Sequence, residues 1–451
     1  MLPLALILRA KGAAVSGSDR ALDQGRSAEK FDFLRAQGIA LFPQDGSGVT
    51  QPDTVVVISA AVEKTVPDVE AALRIGAKLE TRAELLAEMF NASPGSIGVA
   101  GTSGKSTTTG MIGWVLSATG YDPTVMNGAV MKNFVTPDAL FTSAIVGNGD
   151  IFVSEVDESD GSIAHYSPHI AVVNNIALDH KSLEELRDLF RDFVAKAKIA
   201  VLNLDNAETA LLAADMHATI TYSQNDASAH LLASNIRPAP DGIAFDAHEG
   251  GTTAKIRLKV PGRHNVANAL AALGAVRASG VPFKKATEAL SDFTGIKRRL
   301  EIAGSANGVS VIDDFAHNPD KIAATLSTLH EFPGRLLIMF QPHGFGPLRL
   351  MKEAFIDCFV KNMSAEDILI MPEPVYYGGT VERSVSSNDI VRGVEARGRA
   401  AIAFADRTAC GEKLLQLASP DDRVVVMGAR DDTLSLFAAD LVSALGSRTA
   451  R

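Results

Sequence analysis

The sequence has few of the residues that would identify several common classes of protein. Cysteine occurs only twice among 451 residues, at Cys358 and Cys410, which excludes a disulfide framework and a cysteine-ligated metal cluster. No apolar run approaches the roughly 20 residues of a membrane-spanning helix, and the apolar residues 2–8 follow no basic segment of a secretory signal. Acidic residues outnumber basic ones by 53 to 43, which disfavours a nucleic-acid-binding surface. We therefore expect a cytoplasmic protein that binds neither membranes nor nucleic acids.

The composition and the order of segments indicate a globular protein of several domains. Hydrophobic residues make up 46% of the chain and charged residues 21%, as is ordinary for such proteins. A length of 451 residues suggests two to four domains. Strand-like and helix-like segments alternate along most of the chain, which favours an α/β fold with parallel sheets and crossover helices.

The most informative stretch is the heptapeptide Gly-Thr-Ser-Gly-Lys-Ser-Thr at residues 101–107. A buried strand is predicted before it, over residues 96–100, and a helix after it, over residues 107–118. A strand, a glycine turn and a helix start present backbone N–H groups that suit phosphate oxygens. Lys105 would add a positive charge on the phosphates, and the Ser106 hydroxyl could ligate Mg²⁺. ATP binding is the favoured interpretation, and a chance Gly-Lys-Ser in a surface turn is the alternative.

Polar residues follow two further predicted strands of the same region. One strand ends in Glu155, and the carboxyl edge of a sheet is where an NTPase holds its Mg²⁺. Asp157 and Glu158 come next and are expected to order the turn. A second strand, over residues 169–176, leads towards His180, for which a second-metal ligand and a structural role are equally favoured.

Three further polar residues have a structural explanation beside a functional one. Asp19 follows a predicted strand over residues 13–18, where nucleotide-binding sheets place a ribose-binding acid, but a helix cap explains it equally well. Asn265 and Asn268 share one face of a predicted helix, and their amides could bind an adenine edge. Helix capping and a solvated helix face are the alternative for this pair.

A further alternating segment begins after the basic connector at residues 293–300. Its predicted strands are residues 309–313, 335–340, 367–371, 400–404 and 423–427. Three of the strand ends are polar, at residues 313–319, 341–344 and 428–431. Such ends meet at the switch-point crevice of an open α/β sheet, so we expect them to form one face of a cleft.

Five motifs along the chain together resemble those of a known family. They are Gly-Thr-Ser-Gly-Lys-Ser-Thr, Ser-Glu-Val-Asp-Glu-Ser-Asp, Pro-Gly-Arg-His-Asn-Val-Ala-Asn-Ala, Arg-Arg-Leu-Glu and Asp-Asp-Phe-Ala-His-Asn-Pro. In this order they resemble the Mur ligases, which build the peptide of bacterial cell-wall precursors. Val-Ser-Gly-Ser-Asp at residues 15–19 and Phe-Gln-Pro-His at residues 340–343 favour the alanine-adding branch of the family. The alternatives are the branch that recycles murein tripeptide and a divergent Mur ligase with another substrate.

The resemblance implies an α/β fold of three domains. Residues 1–92 would form a Rossmann-like UDP-substrate domain that lacks its first strand and glycine turn. Residues 93–296 would form a central P-loop ATPase with a mostly parallel sheet, and residues 297–451 a C-terminal Rossmann-like domain. The implied reaction uses ATP and Mg²⁺ to turn the carboxylate of a UDP-N-acetylmuramate-type nucleotide sugar into an acyl phosphate. The amino group of a free amino acid or peptide then displaces phosphate.

The resemblance also implies roles for individual residues. Lys105 and Arg299 would contact the ATP phosphates, and His317 and His343 would lie near the reacting groups. The implied Mg²⁺ ligands are Ser106, Glu155 and His180. The other implied ATP-binding residues of the phosphate loop are Gly101, Thr102, Ser103, Gly104 and Thr107. The implied contacts to the adenine are His264, Asn265 and Asn268, and the implied contact to the ribose is Asp314. The residues expected to bind the UDP substrate are Ser18, Asp19 and Ser59.

Two functions of another class are compatible with the same motifs. One is a non-catalytic ATP-binding regulatory protein, and the other is a generic P-loop hydrolase that turns over ATP without an acceptor. The presence of Lys105, Glu155 and His180 favours an enzyme. Phosphate release that depends on a second substrate would separate the ligase from both alternatives.

Overall fold

The computed structural model describes residues 1–59, 62–139, 141–177, 182–216, 218–375, 383–429, 431 and 433–447. The chain divides into two compact units. The first unit comprises Met1–Arg237, Ala244–Lys259 and His264–Ile296, and the second comprises Pro238–Ile243, Val260–Arg263 and Lys297–Arg451. The division into three functional domains that the sequence suggested stays a prediction. None of the helices in these described ranges has the length and apolar character needed to cross a membrane.

The N-terminal part of the first unit consists of short helices and two small sheets. Its elements are α1 (Leu2–Ala10), β1 (Ser16–Ser18), α2 (Arg20–Asp23), α3 (Ala28–Ala36), β2 (Ala40–Phe42), β3 (Val55–Ile58), α4 (Pro67–Ile75), β4 (Lys78–Thr81) and α5 (Arg82–Asn91). Strand β1 pairs with β2 and β3 pairs with β4, both in parallel. The alternating pattern suggested a parallel sheet, and the described residues form two separate two-stranded sheets.

The following part of the chain, residues 97–291, is built on a ten-stranded sheet. Its elements are β5 (Ile97–Ala100), α6 (Lys105–Ala118), β6 (Thr124–Met126), β7 (Ala144–Ile145), β8 (Phe152–Glu155), β9 (Ile170–Val173), α7 (Leu183–Ala195), β10 (Ile199–Asn203), α8 (Ala207–Asp215), β11 (Thr219–Ser223), β12 (Leu231–Ala239), β13 (Gly242–Glu249), β14 (Thr252–Leu258), α9 (His264–Ala278) and α10 (Phe283–Ser291). The strands lie in the order β14-β13-β12-β11-β10-β9-β5-β8-β6-β7.

Strand β5 lies in the middle of this sheet and is buried along its whole length. It is apolar apart from Gly98, as expected for a parallel strand with helices on both faces. Strands β8 and β9 flank β5, and both run parallel to it. The carboxyl ends of all three strands therefore meet at one edge of the sheet. That edge carries the loop at residues 101–104.

The second unit contains a six-stranded sheet. Its elements are β15 (Glu301–Ala306), β16 (Val309–Asp314), α11 (Pro319–Leu329), β17 (Leu336–Gln341), α12 (Phe345–Leu350), α13 (Lys352–Asn362), β18 (Ile368–Pro372), α14 (Ser387–Glu395), β19 (Ala400–Phe404), α15 (Arg407–Leu417), β20 (Arg423–Gly428) and α16 (Thr433–Ser447). The strand order is β15-β16-β20-β17-β18-β19, and β15 alone among them pairs antiparallel to its neighbour.

Apolar clusters cover both faces of this second sheet. Along β17, Leu336, Ile338 and Phe340 belong to one cluster, whereas Leu337 and Met339 belong to the other. This alternation follows from the two-residue period of a strand with two buried faces. All five strands predicted from the sequence are present, and the predicted α/β class with mostly parallel sheets is confirmed.

Candidate active site

The loop between β5 and α6 is closed by two glycines with positive φ. Gly101 has a φ of +130° and Gly104 a φ of +86°, and other residues adopt such angles at a cost. A Cβ atom on Gly101 would lie 3.0 Å from the carbonyl oxygen of Asn175, so the backbones approach closely. Helix α6 begins immediately afterwards at Lys105. The N-terminal N–H groups of a helix provide a site for phosphate oxygens.

Asn175, which follows β9, holds this loop through its backbone and its side chain. Its carbonyl accepts a 3.0 Å hydrogen bond from Thr102 N, and its Oδ1 accepts one of 2.9 Å from Ser103 N. Its Nδ2 donates back to the Ser103 carbonyl at 3.2 Å. The predicted phosphate-binding residues Thr102 and Ser103 are thus fixed to the neighbouring strand end. Sequence reasoning did not single out Asn175, although its position after a buried strand was a signal.

A second group of amides lies behind Gly104. Asn174 Nδ2 donates to Thr108 Oγ1 at 2.9 Å, and Asn268 Nδ2 donates to Asn265 Oδ1 at 3.0 Å. A Cβ atom on Gly104 would collide with Asn268 Oδ1 and with Asn174 Nδ2. Asn265 and Asn268 are only 4% and 6% exposed. The two predicted adenine contacts therefore lie close to the phosphate loop, and their role towards adenine stays a prediction.

The ammonium of Lys105 is bonded within the loop and to an acidic turn. Lys105 Nζ donates to the Gly101 carbonyl at 2.9 Å and to Glu158 Oε2 at 2.7 Å. Asp157 Oδ1 lies 4.0 Å from the same nitrogen. The sequence predicted that Asp157 and Glu158 order the turn after β8. Asp157 does so, because its side chain accepts a hydrogen bond from Ser159 N at 3.0 Å. The Glu158 carboxylate pairs with Lys105 instead, which sequence reasoning missed.

Asp157 is also influenced by this cluster. Burial raises the pKa of Asp157, but the charge of Lys105 and the hydrogen bonds from Ser159 outweigh it and hold the pKa below its ordinary value. Asp157 is therefore charged at neutral pH. Together with Glu158, it surrounds Lys105 with negative charge.

Ser106 and Glu155 are brought together beside the loop. Ser106 Oγ donates a 2.8 Å hydrogen bond to Glu155 Oε2, and the Ser106 carbonyl accepts one of 2.9 Å from Asn127 Nδ2. A Cβ atom on Gly128 would collide with the Glu155 carboxylate, so a glycine is needed there. A hydroxyl and a carboxylate are hard oxygen donors of the kind that Mg²⁺ prefers.

Two further points concern the predicted Mg²⁺ ligands: the position of His180 and the number of side chains that could bind the ion. His180 lies outside the described residues. Across the described ranges, no group of three or more His, Cys, Asp or Glu side chains could hold a metal ion. Mg²⁺ at Ser106 and Glu155 would therefore need other ligands, such as phosphate oxygens and water, as is usual for this ion. The pair fits such a partly protein-bound ion.

In the second unit, the end of β16 is held by a buried arginine. Arg298 donates to Asp313 Oδ1 at 3.1 Å, to the Gly428 carbonyl at 2.7 Å and to the Asp431 carbonyl at 3.1 Å. Burial raises the pKa of Asp313 and outweighs the opposing effect of Arg298. Arg298 ties the end of β16 to the end of β20 and was not a predicted site residue.

Asp314, the predicted ribose ligand, is a buried carboxylate with three hydrogen-bond donors. It accepts from Ala316 N at 2.8 Å, from Leu300 N at 3.0 Å and from Thr325 Oγ1 at 3.3 Å. Burial raises its pKa and outweighs both the charge of Arg299 and the backbone hydrogen bonds. Asp314 clearly supports the turn after β16, and its contact with ribose stays a prediction.

Three predicted residues form a row with Phe315. The Arg299 guanidinium lies 5.1 Å from the centre of the Phe315 ring, and the rings of Phe315 and His317 are 5.4 Å apart. The ring of His343 lies 5.3 Å from that of His317. The cation, the aromatic ring and the two imidazoles thus form a continuous row at the carboxyl ends of β16 and β17.

His317 is held as a neutral imidazole. Its Nδ1 lies 2.8 Å from the Phe315 carbonyl, and since a carbonyl can only accept, Nδ1 carries the proton. Burial, followed by the nearby charges of Lys321 and Arg299, lowers the pKa of His317 to about 4 despite this hydrogen bond. At neutral pH its Nε2 is therefore an unprotonated acceptor.

The other predicted residues occupy helix starts and strand ends. The Asp19 side chain caps α2 by accepting a hydrogen bond from Ala21 N at 2.8 Å. Asp19 is thus a helix cap, which was the alternative to a ribose-binding acid. Ser18 Oγ donates to the Asp68 carboxylate, and Ser59 directly follows β3. Thr107 lies in the first turn of α6, and His264 is the first residue of α9. Their contacts with substrates stay predictions.

Comparison with known proteins gives matches along almost the whole chain. Three family models match: the Mur ligase family catalytic domain at residues 1–93, the Mur ligase middle domain at 99–276 and the Mur ligase glutamate ligase domain at 298–430. A UDP-N-acetylmuramate–L-alanine ligase of Geobacter sp. (strain M21) is 35% identical over 438 residues, which is 94% of this chain and 91% of that protein. The corresponding ligase of Geobacter sulfurreducens is 35% identical over 439 residues, with the same shares of both chains.

Solved structures are similar over the same length. The crystal structure of the UDP-N-acetylmuramate–alanine ligase of Thermotoga maritima has a TM-score of 0.79 and 25% identity, covering 99% of this chain and 96% of that one. A murein peptide ligase of Psychrobacter arcticus has a TM-score of 0.72 and 25% identity, covering 100% and 97%.

Proposed function

Because the chain belongs to the Mur ligase family, we propose that it is an ATP-dependent ligase joining L-alanine to UDP-N-acetylmuramate in peptidoglycan precursor synthesis. The observation that carries the proposal is the 35% identity to a UDP-N-acetylmuramate–L-alanine ligase over 94% of this chain. The use of ATP and a UDP-linked sugar favours the cytoplasm as the place of the reaction. The proposed domains are a UDP-substrate-binding domain at residues 1–92, an ATP-binding domain at 93–296 and a C-terminal Rossmann-like domain at 297–451.

The phosphate loop supports the ATP-binding part of the proposal. The loop ends at the N-terminus of α6, where backbone N–H groups favour anions. The Lys105 ammonium lies beside the same loop, at 2.9 Å from the Gly101 carbonyl. A fixed cation and fixed N–H groups stabilise the charge that develops on a transferring phosphoryl group.

Ser106 and Glu155 are the proposed Mg²⁺ ligands, with His180 as the proposed ligand of a second ion. The 2.8 Å contact between Ser106 Oγ and Glu155 Oε2 places a hydroxyl and a carboxylate where one ion could bind both. When bound, Mg²⁺ would supply positive charge next to the phosphate oxygens. The protein contributes the fixed position of these two oxygen donors.

The proposed reaction has two steps, and neither needs a protein nucleophile. A carboxylate oxygen of the muramoyl substrate attacks the γ-phosphorus of ATP, which forms an acyl phosphate and releases ADP. The amino group of the second substrate then attacks the acyl carbon, and phosphate leaves as the amide bond forms. Positioning and charge stabilisation therefore account for catalysis. His317 and His343 stay our candidates for groups near the reacting atoms.

Murein tripeptide is the second candidate for the amino substrate. The structural similarity to the murein peptide ligase of Psychrobacter arcticus, with a TM-score of 0.72, supports it. Both candidates share the chemistry of an amine attacking an acyl phosphate. The two functions therefore differ only in which amine is accepted.

An assay of phosphate release tests the proposal. The protein is given ATP and Mg²⁺ alone, then with UDP-N-acetylmuramate, and then with L-alanine or with the tripeptide in addition. We expect release only with both substrates, and faster with L-alanine. Release with ATP alone would indicate a hydrolase, and no release in any mixture would indicate a non-catalytic protein. Lys105→Ala serves as the control, since an interaction of several kcal/mol with the transition state would be lost.

A further inference from the structure

The ion pair between Lys105 and Glu158 has no assigned function in the proposed reaction. Lys105 Nζ and Glu158 Oε2 lie 2.7 Å apart, and the two side chains are only 19% and 6% exposed. A buried carboxylate without a partner is strongly unfavourable. The pair is therefore a fixed feature of the fold, unlike an exposed ion pair between two mobile side chains.

The turn that carries Glu158 is itself held firmly. Ile163 N donates to the Asp157 carbonyl at 3.0 Å, and Gly161 N donates to the Glu158 carbonyl at 3.3 Å. The Asp157 side chain accepts a hydrogen bond from Ser159 N at 3.0 Å. The backbone that carries the Glu158 side chain is therefore held independently of Lys105.

Counting the donors of Lys105 indicates what the pair does. An ammonium has three N–H donors. One is directed to the Gly101 carbonyl at 2.9 Å and a second to Glu158 at 2.7 Å. Among the residues that the structure describes, these two fixed acceptors hold the nitrogen in place, which leaves one donor for a phosphate oxygen. A long, flexible lysine side chain would otherwise lose considerable entropy on forming that contact.

We propose that Glu158 is a positioning residue of the ligase, which holds the Lys105 ammonium so that its third N–H meets the phosphoryl group in transfer. This inference rests on the proposed function, since it requires ATP at the phosphate loop. Glu158 reaches the phosphate only through Lys105. The negative charge of Glu158 repels a triphosphate and therefore does not tighten ATP binding. We expect Glu158 to stabilise the transition state of phosphoryl transfer instead.

The test compares nucleotide binding with turnover in Glu158→Gln. The variant keeps the size of the side chain but replaces the charged acceptor. We expect kcat to fall by at least about tenfold, whereas the Kd for ATP with Mg²⁺, measured by calorimetry without the other substrates, stays unchanged or becomes lower. A purely structural role of Glu158 would instead weaken ATP binding together with turnover, because the whole loop would be disturbed.

Asp160→Asn is the matched control. Asp160 lies in the same turn, but it is exposed and its Oδ1 accepts a 2.9 Å hydrogen bond from Ser162 N. We expect its kcat to stay within about threefold of the original value, which is under 1 kcal/mol.

Three results would overturn the inference. They are a kcat of Glu158→Gln within threefold of the original, a kcat loss matched by an equal loss of ATP affinity, and an equal kcat loss in Asp160→Asn. If the turnover of the unaltered protein does not depend on both substrates, the proposed function is overturned instead.

Discussion

Ser106 Oγ donates a 2.8 Å hydrogen bond to Glu155 Oε2, although the two residues are 49 positions apart in the chain. Ser106 belongs to the first turn of α6, and Glu155 is the last residue of β8. Parallel pairing of β8 with β5 brings these two ends to the same edge of the sheet. The contact therefore joins the phosphate loop to the neighbouring strand at the place proposed for Mg²⁺.

The first prediction is that Glu155→Gln changes the Mg²⁺ dependence of the ligase. Glutamine keeps the size and an oxygen acceptor for Ser106, but it removes the charge that would bind the cation. We expect the Mg²⁺ concentration for half-maximal activity to rise by about tenfold or more, with a lower maximal rate. Measuring activity against Mg²⁺ concentration checks this.

Asp160→Asn is the control for this prediction, because Asp160 is an exposed acid of the following turn that accepts a hydrogen bond from Ser162 N. Its Mg²⁺ dependence should not change. If Glu155→Gln alters only the pH profile and leaves the Mg²⁺ dependence as it was, Glu155 transfers protons instead of binding the ion.

The second prediction compares two glycines at the ends of the same helix. Gly104 and Gly120 have φ angles of +86° and +87°, so alanine costs a similar backbone strain at each, about 1 kcal/mol. An added Cβ meets no atom within 4 Å at Gly120, but it collides with Asn268 and Asn174 at Gly104. We expect Gly104→Ala to lower the free energy of unfolding by about 1–3 kcal/mol more than Gly120→Ala does.

Denaturant unfolding and ATP calorimetry check this second prediction. Gly104→Ala should also weaken ATP binding, because the collision displaces the start of α6, whereas Gly120→Ala should bind ATP normally. Equal unfolding free energies and equal ATP affinities of the two variants would show that Asn268 and Asn174 move away from an added Cβ atom without a loss of stability.

Much of the fold was predictable because its signals are local. Buried parallel strands are short apolar runs, and the strand–glycine–helix pattern at residues 96–118 places the phosphate loop without any knowledge of other segments. Strand β15 was not predicted, since its residues Glu301–Ala306 include Gly304 and show little apolar alternation. Its pairing with β16 determines its conformation, and a single segment does not reveal such pairing.

The location of a candidate site residue was predictable where it follows from the residue's own position in an element. Lys105, Ser106 and Glu155 are such residues, since they begin a helix or end a strand. Glu158 and Asn175 are different, because their contacts depend on how distant segments meet. The same holds for Arg298, which looks like part of a solvated basic connector in the sequence and is 7% exposed in the structure.

The third prediction separates two adjacent arginines. Arg298→Ala removes the ion-pair partner of the buried Asp313, which keeps only its hydrogen bond from Ser435 Oγ among the described residues, and leaves the Gly428 carbonyl without its 2.7 Å donor. Loss of one member of a buried ion pair costs about 3–5 kcal/mol of stability. Arg299→Ala removes a partly exposed cation beside Phe315 and should cost less than about 1 kcal/mol.

Denaturant unfolding and ATP affinity give opposite rankings of these two arginine variants if the assignment is correct. Arg298→Ala should unfold more easily. Arg299→Ala should fold normally but bind ATP less tightly, as a proposed phosphate contact. Similar stability of the two variants would contradict the structural role given to Arg298.

The last prediction concerns the pH dependence of stability that His317 causes. Burial lowers its pKa in the folded protein to about 4, from an ordinary value of 6.5. Between these two pH values the unfolded chain binds more protons than the folded one. The contribution of His317 to stability is therefore fully present above pH 6.5 and declines as the pH falls towards 4.

His317→Gln removes this proton uptake. From pH 7 to pH 4.5 we expect the variant to lose about 2 kcal/mol less stability than the unaltered protein. Unfolding free energies at both pH values measure the difference, and an NMR titration of the imidazole gives its midpoint directly. A midpoint near 6.5, with equal stability losses in both proteins, would show that His317 is not held neutral by its surroundings.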